Sequence, residues 1–99
     1  MAARNLTEAR RQIRLLIEAG EISWTHHAKV RMRERGISIR QVTDVLKAGH
    51  EVEGPFRDIS GDWKCTYAGN SAGNGVQVVA VLIEQDEETC LVVTVMENH

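Results

Sequence analysis

Within WTHHAKVRMRERG, Trp24 to Gly36, one histidine and two arginines, His27, Arg31 and Arg35, recur at every fourth position. On an α-helix each residue advances by about 100°, so a four-residue step returns to nearly the same direction with a drift of about 40°. The three side chains therefore form one stripe. Ala28 and Met32, the apolar positions expected to be buried, lie beside that stripe, whereas Lys29, Arg33 and His26 point to the opposite side. Holding two guanidinium groups against an apolar layer costs desolvation unless anions answer them. The anion is either an internal carboxylate, such as Glu34 or an acid of the second half, or a phosphate, which arginine grips with two parallel N–H donors.

Histidine adds proton transfer, because its unperturbed pKa of about 6.5 lets it give and take protons near neutral pH. RNA is cleaved without a metal if one group removes the 2′-OH proton, another protonates the leaving 5′ oxygen, and fixed cations stabilise the charge growing on the phosphate. His27 has the chemistry for either proton step, and Arg31 and Arg35 for the charge; no cofactor is required. Lys64, Tyr67 and Arg57 are further candidate substrate-binding donors. Zinc is a weak reading, since adjacent His26 and His27 diverge by about 100° on a helix, and Cys65 and Cys90 have no ligand spacing. Two other readings of the stripe stand beside catalysis: a non-catalytic module that binds nucleic acid or protein, and a structural ion-pair cluster.

The elements that must position these residues are marked by caps and periodicity. Thr7 is an expected N-cap, followed by Ala9, Ile13, Leu16 and Ile17 at helical spacing and Gly20 as a stop. Thr25 caps a second helix that Gly36 closes, with Ile37 as the hydrophobic cap contact. Ser38 and Gln41 form an S-x-x-Q capping box for a third helix, with Val42, Val45 and Leu46 as its buried stripe and Gly49 as its end. After Gly49 the period becomes alternating. A strand around His50 to Val52 runs toward Gly54-Pro55, and a second covers Trp63 to Ala68, with Trp63, Cys65 and Tyr67 on one face and Lys64 and Thr66 on the other. GNSAGNG, residues 69 to 75, reads as a flexible loop. VQVVAVLIE and TCLVVTVME, joined by the acidic turn QDEE, read as a hairpin whose strands are apolar on both faces.

Composition limits the classes open to the chain. With 99 residues, 42% of them apolar and 26% charged, it fits one globular domain over 1–99, helices at about 7–48 and sheet at about 50–97. No apolar run reaches the roughly 18 residues of a membrane span, and MAARNLTEARR lacks a secretory apolar stretch, so a cytoplasmic protein without membrane contact is expected. The two cysteines read as small core residues. The net charge of −2 divides unevenly: residues 1–50 hold ten Lys/Arg against five Asp/Glu, and residues 51–99 hold two against nine. A basic half attracts a polyanion through its local potential, whatever the total charge.

SWTHHAKVRMRERGISIRQVTDVLKAG resembles the signature of the domain of unknown function 4258 family, matched here by His27, Ala28, Arg31, Met32, Glu34, Arg35, Gly36, Ile37, Ser38 and Gly49. Val92, Val93, Thr94 and Val95 match its C-terminal ending, and Met96 stands where that family usually has tyrosine. The family is regarded as similar to the RelE-like toxins, small ribonucleases of bacterial toxin–antitoxin systems. The resemblance implies an α+β fold, three N-terminal helices packed on a four-stranded antiparallel sheet. It also implies a type II toxin acting as a metal-independent endoribonuclease on RNA, with a cognate antitoxin encoded nearby. A homodimer pairing the apolar last strands is the alternative assembly.

Overall fold

The computed structural model describes residues 3–71, 73–85 and 87–97; Ala72 of GNSAGNG and Asp86 of QDEE lie outside the described residues. The first helix, α1 (Leu6–Ala19), is capped by Asn5, whose side chain accepts the Glu8 N–H at 2.9 Å, so the expected Thr7 cap is corrected by two residues. It buries Ala9, Ile13 and Ile17, one side chain per turn. Strand β1 (Ile22–Trp24) follows, then α2 (His26–Arg35), α3 (Ile39–Ala48), β2 (His50–Arg57), β3 (Trp63–Ser71), β4 (Asn74–Ile83) and β5 (Thr89–Glu97).

The sheet has five strands in the order β1-β5-β4-β3-β2 and is mixed, because β1 pairs parallel to β5 while the other neighbours are antiparallel. The expectation of three successive helices on a four-stranded antiparallel sheet is therefore wrong in two respects. The sheet gains a strand, and that strand separates α1 from α2. Three residues are too few to display alternation in a sequence, yet here they form backbone bonds: Cys90 N–H donates to Glu21 O, and Thr25 N–H to Val92 O, each at 3.0 Å. The GNSAGNG segment is likewise not a long loop. Pairing continues to Ser71 opposite Asn74.

One face of the sheet carries the core. Trp63, Cys65 and Tyr67 of β3, Val76, Val78, Ala80 and Leu82 of β4, and Cys90, Val92 and Val95 of β5 are buried there, with the buried stripes of α1 and α3 among them. In β5 the alternation is reset by a bulge: Val92 lies opposite Ala80 and Thr94 opposite Val79, so Val93 is the extra residue. Val95 thereby returns to the core, and Thr94 and Met96 join the open face with Val79 and Gln77. That single residue decides which β5 side chains meet solvent.

Candidate functional site

Thr25 fixes α2 against the sheet. Its side chain accepts the Ala28 N–H at 3.0 Å as an N-cap, its hydroxyl donates to Val93 O at 3.1 Å, and its own N–H binds Val92 O. The helix start is thus tied to the β5 bulge by side chain and backbone together. At the other end Gly36 adopts φ 67°, and Gly36 and Ile37 N–H groups reach Arg33 O and Met32 O, the paired bonds of a Schellman closure. Ala28 and Met32 are buried between these anchors, and Ile37 closes the apolar contact.

The rotation of α2 follows from that burial. With Ala28 and Met32 inward, His27 and Arg35 are exposed and Arg31 is half-buried at the border. Arg31 and Arg35 line a hollow of about 370 Å³ together with Thr94, Val95, Met96 and Glu97 at the end of β5. His27 lies one turn back along the stripe and is not part of that lining. Eight residues at 1.5 Å each make the stripe about 12 Å long. The helix holds four Lys/Arg and a single acid, Glu34. Arg31 reaches Glu34 only at 3.9 Å, with side chains 43% and 58% exposed, so solvent screens most of their attraction. Glu97 brings a carboxylate to the hollow itself.

Of the further donors expected from the sequence, Lys64 lies on the open face of the sheet, where it helps line a second, smaller hollow of about 290 Å³. Tyr67 is buried on the opposite, helix-covered face, beneath the Arg14 guanidinium at 5.9 Å. Burial raises its hydroxyl above the ordinary value, so it stays protonated. Arg57 stacks on the Trp63 ring at 4.5 Å and donates to Gly61 O at 2.8 Å and Ala3 O at 3.4 Å. The fold brings neither Tyr67 nor Arg57 to the α2 stripe. Arg10 is held by Glu51 through contacts of 2.7 and 3.1 Å. Cys65 and Cys90 are buried, and desolvation pushes their thiols up to about 11 and about 12, which keeps them inert as nucleophiles.

Sequence reasoning missed Thr94, Met96 and Glu97. The signal for Thr94 was present, as a lone hydroxyl in the apolar run LVVTV, but its direction depends on the Val93 bulge. Glu97 and Met96 reach the hollow because β1 covers β5 only over Cys90–Val92, leaving the outer edge of Thr94–Glu97 without a neighbouring strand among the described residues.

A small α+β domain with a cationic helix lying along an incompletely covered strand is the class that fold and site define. Residues 24–97 match the family described as Domain of unknown function (DUF4258), and the chain belongs to that family. No curated protein and no solved structure matches it. No helix is long and apolar enough to cross a membrane, among the described residues.

Proposed function

We propose that the protein is a metal-independent endoribonuclease, the toxin of a bacterial type II toxin–antitoxin system, acting on RNA in the cytoplasm. The observation that carries this reading is the pair Arg31 and Arg35, which line one hollow, with His27 one turn before Arg31 and only a weak contact from Arg31 to Glu34. In the reaction the 2′-OH attacks the neighbouring phosphorus, the bond to the 5′ oxygen breaks, and a 2′,3′-cyclic phosphate and a 5′-OH result. His27 takes the 2′ proton or delivers one to the leaving oxygen, while the arginines stabilise the added charge on the phosphoryl oxygens. The likeness to RelE-like toxins that the family resemblance implies is in keeping with the same chemistry.

Such an enzyme is held inactive in its own cell by an antitoxin that offers acids to the stripe and competes with RNA. Induced expression of the native chain and of His27→Ala, with growth and total RNA followed and the adjacent gene co-expressed, tests the proposal. Arrest and RNA loss with the native chain only, both reversed by the neighbour, are expected; growth unaffected by the native chain rejects it. One observation favours a non-catalytic RNA-binding module instead, namely that His27 stands outside the arginine-lined hollow. In that case RNA binds but is recovered intact.

A further inference from the structure

The hollow beside α2 and the hollow on the open sheet face share Thr94 and Met96, so they form one continuous surface. Its α2 end is cationic. Across the sheet it passes over Thr66, opposite Val79 and thus in line with Thr94, to Lys64, which pairs with Phe56 on β2. Of the chain's four aromatic residues Trp63 and Tyr67 are buried and Trp24 is half-buried, while Phe56 is 39% exposed and lines this second hollow. Three strand spacings of about 4.8 Å separate β2 from β5, so Phe56 lies about 14 Å across the sheet from β5, and farther than that from the arginines, because the register puts it in line with Leu91 rather than with Thr94.

We propose that the open sheet face is a nucleobase subsite: a base of single-stranded RNA stacks on Phe56 within reach of Lys64 and Thr66, while a phosphate several nucleotides along the strand sits between Arg31 and Arg35. This rests on RNA being the ligand of the α2 stripe. At about 290 Å³ the hollow falls just below the usual ligand-pocket sizes of about 300–1,000 Å³, which suits one flat heterocycle lying on an open platform. Its lining mixes an aromatic ring, aliphatic surface and side-chain donors and acceptors, the combination that holds an unpaired base by stacking and by its edge. Base-paired RNA turns its bases inward and cannot offer one to Phe56, so the subsite selects single strands.

The test is fluorescence anisotropy with a short single-stranded RNA carrying 2′-O-methyl groups, which lacks the attacking 2′-OH, the same RNA with one abasic position moved along it, and the duplex form, each against the native chain, Phe56→Ala and Phe56→Trp. Stacking on an aromatic ring supports about a tenfold loss of affinity for Phe56→Ala, with native affinity kept by Phe56→Trp. One abasic position lowers native binding by about the same factor and adds nothing to the Phe56→Ala loss, because the two changes remove one contact. Thermal melting of Phe56→Ala at the native temperature shows that its fold is kept. Native-like affinity of Phe56→Ala, or indifference to every abasic position, overturns the subsite while salt-sensitive binding through Arg31 and Arg35 leaves the RNA reading standing. Absence of any RNA binding by the native chain overturns both. A native dimer that Phe56→Ala converts to a monomer of unchanged RNA affinity assigns the face to a second copy, and overturns the subsite too.

Discussion

Gly49 links α3 to β2 with no room for a side chain. Its φ of −74° is open to any residue, so the requirement is space and not backbone freedom. A Cβ there would lie 2.5 Å from Val45 O and 2.6 Å from Ala68 O, both backbone atoms and both nearly an ångström inside the ordinary contact limit of 3.4 Å. Relief means moving the end of α3 away from β3, where a Cβ on Gly69 would likewise come within 3.3 Å of the Gly49 Cα. Overpacking costs about 1–3 kcal/mol, and two backbone obstacles put Gly49→Ala at the upper end. For a domain of this size about 3 kcal/mol lowers the melting temperature by about 15 °C. Gly36 is the contrasting control, with φ 67° and nothing within 4 Å of an added Cβ. Gly36→Ala therefore costs only the left-handed backbone penalty, about 1–2 kcal/mol and about 5–10 °C. Thermal and urea denaturation of both variants compares them directly. A Gly36→Ala loss equal to or larger than that of Gly49→Ala refutes the close-packing argument.

Thr25→Val removes both the cap of α2 and the bond to Val93 O; it should cost about 2 kcal/mol in urea denaturation and weaken RNA binding, with Thr25→Ser close to native. Arg31→Lys and Arg35→Lys should each lower RNA cleavage at least tenfold while keeping most salt-sensitive affinity, because Lys supplies charge without the two-pronged fork; unchanged cleavage rates would return the pair to a general electrostatic role. Alkaline pH should destabilise the fold. Unfolded thiols lose protons from about pH 9, whereas burial holds Cys65 and Cys90 protonated to about 11 and about 12. Between those limits the unfolded state binds fewer protons, so stability, complete below about pH 9, falls with rising pH by up to about 1.4 kcal/mol per pH unit for each thiol. Melting temperatures measured from about pH 8 to about pH 10.5 should fall, and Cys90→Ala should flatten the curve; identical slopes would show that other groups govern it.

Local signals in the sequence identified the elements whose ends are written in side-chain chemistry. Thr25, the Ser38–Gln41 box, Gly36 with Ile37, and the Trp63, Cys65, Tyr67 parity all stand where caps and alternation place them. Features set by distant backbone were not legible. Ile22–Trp24 becomes a strand because β5, more than sixty residues away, offers an edge, and three residues carry too little pattern to announce it. The Val93 bulge is one residue within an apolar run, yet it turns Thr94 and Met96 outward. GNSAGNG looked like a loop by composition, but ladder bonds use backbone groups that glycine and asparagine also possess. Tyr67 shows a related error: parity placed it with Trp63 and Cys65, and a residue on the core face is not available to a ligand. The stripe on α2 was legible because helical geometry needs only the four-residue spacing.

Whether His27, Arg31 and Arg35 form a ribonuclease site without a metal is decided by incubating purified native protein and His27→Ala with single-stranded RNA in EDTA and analysing the product ends. Cleavage by the native protein, 2′,3′-cyclic phosphate and 5′-OH termini, and a loss of about a hundredfold or more in the folded variant are expected. Intact RNA with native protein, 5′-phosphate termini, or equal rates for the two proteins would contradict such a site.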